Sequence, residues 1–426
     1  MMKKIAFYID NKHIDKISLD HPEKGNPGVG GTEYMIHAIS YYLSKESNYK
    51  IILGATSTKG ISNKITTIKV KTIEELINED TDFIIFKYEL IDYLRISECL
   101  SKSNRKTKLI VWAHNFIKRS ELSRLAKDKY VKRIICVSQE QLNMYRDHLA
   151  FKKSSYIYNG MPISAVNEQK DSLPKFKERD NEVTYIGSIV PYKGFLVLAK
   201  AWSKVLDKYP DAKLNVIGSG KLYDRNSILG KYGIAEESYE NLFMKYLTDD
   251  KGKVLPSVTF HGILGAEKND ILKRTKVGVP NPSGVSETFC ITALEMQAMG
   301  CLVTTLNYGG FKNTVFKTGI LYNSTDELAD SIIKLLEEKD NKIEEFYRFM
   351  DDNFSFEKIT NDWIRMLDNI NNDIITIPTI CKESDRITKL KEINRKIKEK
   401  LPFGYILLPT IDFYISILRR LNIIHG

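Results

Sequence analysis

The chain has 426 residues, 42% of them hydrophobic and 28% charged, with a net charge of +10. That length is too great for one ordinary core and asks for two or three domains of a soluble globular protein, while the excess of cations points to an acidic partner: a phosphate-bearing substrate, anionic lipid or nucleic acid. Five cysteines (Cys99, Cys136, Cys290, Cys301 and Cys381) are odd in number, widely spaced and free of any CxxC pair, which indicates neither a disulfide framework nor a structural zinc site and fits a reducing cytoplasm.

Taken in order, Ile5 to Ile9 reads as a buried first strand and not as a signal peptide. Gly28, Gly30 and Gly31 then precede a helix with Met35, Ile36, Ile39 and Leu43 on one face. A glycine turn at a helix start lets a phosphate approach the backbone, although a plain loop has the same appearance. Apolar runs at Ile51 to Gly54, Phe83 to Phe86, Leu109 to Trp112 and Ile134 to Val137 alternate with charged helical stretches at Ile73 to Asn78 and Leu122 to Val131. This alternation predicts a parallel sheet covered on both faces. His114-Asn115 and Ser138 fall at strand ends, where open parallel sheets bind ligands. The polar segment from Ser164 to Asn181 reads as a linker.

The second half restarts the pattern. A strand at Val183 to Ile186 leads through Gly187 and Lys193-Gly194 into a helix with Phe195, Leu198, Trp202 and Val205 inward. Further strands are expected at LNVIGSG, ending in Gly218 and Gly220, then at VTFHG, VGVP and CLVTTL. Between the last two lies Pro280 to Gly300, PNPSGVSETFCITALEMQAMG. Its prolines and Gly284 mark a loop, and Ile291, Leu294, Ala298 and Met299 keep helical spacing, so a helix is expected from near Phe289. Glu287 precedes that helix and Glu295 lies in it. The free N–H groups around Cys290 to Thr292 make an anion site between two carboxylates that could hold hydroxyls. The alternative is one first-turn charge and one solvated helix residue.

Residues Ile343 to Ile370 read as aromatic-rich closing helices. Beyond them, Arg386 to Leu401 has an apolar face of Ile387, Leu390, Ile393, Ile397 and Leu401, with Lys389, Lys391, Arg395, Lys396, Lys398 and Lys400 filling the rest. Lys382 to Gly426 holds ten Lys or Arg against five Asp or Glu, so 10 − 5 gives +5, half the charge of the whole chain. Basic amphipathic helices bind anionic membrane surfaces or protein partners, or pack on their own domain. Pro409 and Asp412 interrupt the tail's apolar region and argue against a membrane-spanning helix.

In this arrangement the chain from Lys4 to about Ile370 resembles the family 4 retaining glycosyltransferases of the GT-B fold. The resemblance rests on the Gly30-Gly31 loop, His114, Asn159-Gly160, the Gly187 to Gly194 loop with Lys193, Gly218-x-Gly220, Phe260-x-Gly262, and SETFCITALEMQAMG, which is similar to the family's E-x7-E signature. It implies two Rossmann-like domains facing across a cleft. Residues 1–163 would form an acceptor-side domain, 164–182 a linker, 183–342 a nucleotide-sugar domain, 343–371 closing helices returning to the first domain, and 372–426 a basic amphipathic tail.

The same resemblance implies that Lys193 neutralises the donor diphosphate, Glu295 holds the ribose, Glu287 contacts the transferred sugar and His114 lies by sugar and acceptor. Gly30, Gly31, Gly187, Ser188, Phe289, Cys290, Ile291 and Thr292 would surround the phosphates, and the backbone near Gly262 and Ile263 would face the base. The implied reaction moves a hexose, with retention, from a nucleotide diphosphate sugar (UDP favoured over GDP) to a lipid-linked or surface-polysaccharide glycan, without metal or other cofactor. The cysteine usage places the chain in the cytoplasm, and the tail, which lies outside the resemblance, is expected from its basic amphipathic pattern to contact the inner membrane face or form an oligomer. A binding or scaffold protein that keeps the fold without transfer is the alternative. Nucleic-acid binding is not expected, because the charge gathers in the tail and lacks an aromatic-basic cleft. Three positions depart from the family pattern: Ser188 where Arg is usual, Cys290 where Gly is common, and Asn313 after Gly309-Gly310 where an acid is common.

Overall fold

The computed structural model describes residues 2–222, 226–374, 378 and 385–421. Cys381 and the two ends of the expected 372–426 tail, at 375–384 (apart from 378) and 422–426, lie outside these residues.

Thirteen strands form two wholly parallel sheets among the described residues. The first contains β1 (Lys4–Ile9), β2 (Lys50–Ala55), β3 (Thr67–Lys69), β4 (Phe83–Lys87), β5 (Lys108–Ala113), β6 (Val131–Cys136) and β7 (Ser154–Tyr156), in the order β3-β2-β1-β4-β5-β6-β7. The second contains β8 (Glu182–Ile186), β9 (Lys213–Ile217), β10 (Val258–Gly262), β11 (Val277–Gly278), β12 (Leu302–Leu306) and β13 (Ile320–Tyr322), ordered β10-β9-β8-β11-β12-β13. Strands such as Phe83–Lys87 are apolar at successive positions because helices cover both faces of each sheet. In each half the strand order reverses beside the first strand, between β1 and β4 and between β8 and β11. The loops leaving those strands therefore diverge and open a crevice.

Three expectations are corrected. Strands β3, β7 and β13 were not foreseen; each has three residues and too short a pattern to announce itself. Val131 begins a strand, the helix before it running only over Arg119–Lys127. The helix expected from Phe289 covers Ile291–Ala298, because Cys290 sits in the left-handed region at φ 73° and cannot be its first turn.

Helices Ile343–Phe354 and Phe356–Asn371 tie the halves together. Met161 donates its N–H to the Phe354 carbonyl at 2.7 Å, and Phe356 donates to the Met161 carbonyl at 3.2 Å. Trp363, fully buried, meets Trp112 and Phe7 edge-on with ring centroids 4.8 and 6.1 Å away. One apolar core thus runs from β1 and β5 through the closing helices to the underside of helix Ile291–Ala298.

Candidate active site

The cleft between the sheets' carboxyl edges holds a cavity of about 430 Å3. Gly30, Gly31, Lys87, His114 and Asn159 line it from the first domain. From the second come Gly187, Ser188, Lys193, Ile263, Lys268 and the stretch Ser286 to Glu295. Of the residues singled out from the sequence, His114, Gly30, Gly31, Gly187, Ser188, Lys193, Ile263, Glu287, Phe289, Cys290, Ile291, Thr292 and Glu295 all line this one cavity. Gly262 does not; it ends β10, where its carbonyl accepts from Gly218 N–H at 2.7 Å, and Ile263 and Leu264 form the wall instead.

The loop from Asn281 to Cys290 is held in an unusual path. Asn281, Ser286 and Cys290 have φ of 37°, 59° and 73°, a conformation that costs residues with a Cβ roughly 1–3 kcal/mol each. Surrounding hydrogen bonds impose it. The Thr305 hydroxyl donates to the Asn281 carbonyl at 3.0 Å, the Thr314 hydroxyl to the Phe289 carbonyl at 3.0 Å, and Gly310 N–H to the Glu287 carbonyl at 3.1 Å. Gly309 and Gly310 permit this closeness, since a Cβ on Gly309 would lie 2.2 Å from the Glu287 carbonyl oxygen. The Thr288 hydroxyl reaches across the cleft to the His114 carbonyl at 2.6 Å, which fixes both domains' site residues together.

Each carboxylate is paired with a lysine from another segment, Lys193 from the turn Pro191–Lys193 and Lys268 from the start of helix Lys268–Leu272. Glu287 Oε2 accepts from Lys193 Nζ at 2.8 Å and from Asn281 Nδ2 at 3.0 Å, while Glu295 Oε1 accepts from Lys268 Nζ at 2.9 Å. All four charged side chains are less than one-fifth exposed. Between the acids lies the start of helix Ile291–Ala298, whose first N–H groups have no partner within the helix and whose N-cap, Cys290, makes no side-chain cap. A positive helix end flanked by two carboxylate–ammonium pairs can accept an anion without bringing extra charge into the cleft. Gly31 approaches from the opposite wall: a Cβ there would stand 3.3 Å from Ile291 Cδ1, so the end of the isoleucine would have to give by a few tenths of an ångström to admit one.

His114 is buried, and burial, with the Lys87 cation second, depresses its pKa to about 3. The ring is therefore neutral at ordinary pH. Its Nε2 and the Asn159 Oδ1 have no hydrogen-bond partner among the described residues, although both residues line the cavity. Burial also raises the Cys290 thiol, with Glu287 acting in the same sense, which keeps that group protonated and a poor nucleophile.

The departures have local accounts. Ser188 is buried and its hydroxyl donates to the Ser219 carbonyl at 3.4 Å, so the usual Arg has no counterpart there. Among the described residues the cavity wall contains no arginine; its cations are Lys87, Lys193 and Lys268. Asn313 Oδ1 accepts from Glu140 N–H at 3.1 Å, a bond between the domains that an acid would also accept. Lys268 and Asn281 escaped sequence reading. Lys268 sits in AEKND, which looks like a solvated helix start, and Asn281 looks like one more loop residue; only tertiary packing reveals their partners.

Two Rossmann-like domains with this cleft define the GT-B architecture. Residues 180–338 match the family model described as glycosyl transferases group 1. An uncharacterized glycosyltransferase of Haemophilus influenzae is 22% identical over 396 residues, covering 85% of this chain and 99% of that protein. Among solved structures, Anabaena Alr3699/HepE in complex with UDP and glucose superposes with a TM-score of 0.62 at 15% identity, over 86% of this chain and all of that one. The α,α-trehalose 6-phosphate synthase of Burkholderia multivorans gives 0.63 at 10% identity, over 88% and 100%. The chain has the GT-B fold and resembles the family 4 type of glycosyltransferase.

Proposed function

We propose that the protein is a retaining hexosyltransferase that takes its sugar from a nucleotide diphosphate donor, UDP-sugar in preference to GDP-sugar, and passes it to a lipid-linked or surface glycan. The observation that carries this reading is the helix start at Ile291 between two lysine-paired carboxylates, Glu287 and Glu295, on one cavity wall.

On this reading the diphosphate takes the helix N–H groups and draws Lys193 away from Glu287. The exchange frees Glu287 Oε2, still held by Asn281, for a hydroxyl of the transferred sugar. Glu295, oriented by Lys268, accepts from the ribose hydroxyls. His114 Nε2 and Asn159 Oδ1 find polar partners on the sugar side. Negative charge grows on the leaving diphosphate as the glycosyl bond breaks, and positioned donors there contribute about 3 kcal/mol apiece. The acceptor hydroxyl attacks from the face the phosphate leaves, and its proton passes to that phosphate, so no protein nucleophile is required. The proposal involves no metal, since the helix end, Lys193 and Lys268 supply positive charge where the diphosphate would lie.

Titration calorimetry with UDP, followed by turnover assays over a panel of nucleotide sugars, tests this. Binding of UDP that weakens in Glu295→Ala supports it; no binding by the unmodified chain overturns it. UDP binding with no turnover of any donor would favour the scaffold alternative.

A further inference from the structure

Of 24 exposed large apolar side chains among the described residues, 13 lie between Ile387 and Leu421, under a tenth of the chain. Leu390, Ile393 and Ile397 of helix Arg386–Lys400 are 51, 55 and 45% exposed, and Phe403, Ile406 and Leu407 after it 76, 81 and 66%. The helix is packed inside out. Its buried side chains are Thr388, Lys391, Arg395 and Lys398.

Those cations bind the first domain and the tail itself. Lys398 Nζ donates to the Asp147 carbonyl at 2.7 Å, Lys391 pairs with Asp412 at 2.8 Å, and Arg395 bonds Glu392 and Glu399 while stacking over Phe151. The buried Arg146 reaches Glu392 at 3.3 Å. Rolling the helix to hide its isoleucines would leave the buried Arg146 without Glu392 and the Asp147 carboxylate without Asn394, a strongly unfavourable exchange. The apolar stripe is thus fixed outward.

At 100° per residue, Lys389, Lys396 and Lys400 form a row along one edge of the Leu390, Ile393, Ile397 stripe. Over residues 385–421 six exposed cations (Arg386, Lys389, Lys396, Lys400, Arg419, Arg420) face only two exposed acids, Asp385 and Glu399. Two such surfaces brought together would oppose rows of like charge, whereas anionic headgroups beside acyl chains match both the row and the stripe. The surface also adjoins the cleft. Asp412 pairs with Arg119 at 3.4 Å, five residues beyond His114, and Phe116 packs edge-on against Tyr308, which neighbours the Gly309 that abuts Glu287.

We propose that residues 386–421 form a rigid platform that lies on an anionic lipid bilayer and seats the His114 side of the cleft against it, where a lipid-anchored acceptor would enter. The acceptor part rests on the transferase reading; the lipid contact does not. Co-sedimentation of the full chain with phosphatidylcholine vesicles, with and without phosphatidylglycerol, tests it. The unmodified chain should bind the anionic vesicles, less so in high salt. Ile393→Asp with Ile397→Asp should lower that partition about tenfold or more, and Lys396→Glu with Lys400→Glu should lower it on anionic vesicles alone. Both pairs should bind UDP like the parent. Absent binding to anionic vesicles, unchanged binding in both variants, or a dimer that Ile393→Asp dissociates would each overturn the platform. Loss of UDP binding by the unmodified chain would instead overturn the transferase reading alone.

Discussion

The helix at the donor site and the helix of the tail are packed in opposite senses. Ile291–Ala298 buries Ala293, Leu294, Met296 and Ala298 in the shared core and receives its charge from outside, through Lys193 and Lys268. Arg386–Lys400 buries its own cations and shows its isoleucines to solvent. The difference comes from what each helix meets. Under the first lie helix Ile343–Phe354, whose Tyr347 hydroxyl donates to the Ala298 carbonyl, and the apolar strands β11 and β12; under the second lie Arg146, the Asp147 carboxylate and carbonyl, and the carbonyl of Met144. An amphipathic pattern defines two faces, and the neighbouring surface selects which one turns inward.

The largest effect that would break this comparison lies at Glu287. If its pairing with Lys193 is exchanged for sugar and diphosphate on binding, Glu287→Gln should cut turnover about 100-fold or more. It should bind UDP no more weakly than the parent, because Lys193 is already released. Calorimetry and initial rates on the same preparation check both halves, and a variant with full activity would remove Glu287 from the reaction.

Next in size is the second pair. Glu295→Ala should weaken UDP about tenfold, the value of one charge-assisted hydrogen bond. Lys268→Met should cost less, and the double variant no more than Glu295→Ala alone, since Lys268 acts through Glu295. Additive losses would show that Lys268 touches the ligand itself.

The tail's counterpart is Asp147, whose carboxylate accepts from Ile411 N–H at 2.6 Å and Asn394 Nδ2 at 2.8 Å. Asp147→Ala should speed trypsin cleavage within 386–400 several-fold while leaving UDP binding intact. Acid should separate the two regions as well. His114 has a folded pKa near 3 against an ordinary 6.5, so its contribution is whole above pH 6.5 and drains as pH falls towards 3; His37, depressed by burial to about 4, drains in the same window. For Glu392 burial alone would raise the pKa, but the Arg395 and Arg146 bonds outweigh it and lower it below 4.5, so the tail's contribution is whole above that value and lost beneath it. The melting temperature should therefore begin to fall below pH 6.5, and tail cleavage should rise weakly as His148, depressed by burial to about 4 and facing Lys398 of the tail, takes up its proton, then steeply below pH 4.5. His114→Asn should flatten part of the first decline.

Most of the architecture could be read from the chain. Buried parallel strands are continuous apolar runs, and the glycines and prolines at their ends mark the turns, so Lys193, Glu287 and Glu295 could be placed on one sheet's edge and Gly31 at the start of a helix in the other domain before any contact was known. The short strands β3, β7 and β13 could not, because three residues carry too little pattern. Nor could the partners of the acids: Lys268 and Asn281 are ordinary surface residue types made functional by their burial in the cleft. The tail's two faces were legible, but its orientation depended on Asp147 and Arg146, 247 and 246 residues from their partners Asn394 and Glu392 in sequence.

The smallest effect concerns the backbone beneath the donor site. Cys290 holds φ 73° at the N-cap of Ile291–Ala298, and its side chain is buried among apolar neighbours. Simple removal of the thiol therefore mixes two effects, loss of packing and the cost of a Cβ in the left-handed region. Comparing Cys290→Gly with Cys290→Ala separates them, because both lose the sulfur and only alanine keeps the Cβ. Glycine should be the more stable of the two by about 1 kcal/mol, measured by denaturant unfolding. If alanine matches glycine, the loop relaxes when the thiol is removed and the strain is not imposed by Thr305, Thr314 and Gly310. If glycine wins, the surroundings dictate the turn, and the helix start is held in place before any anion arrives.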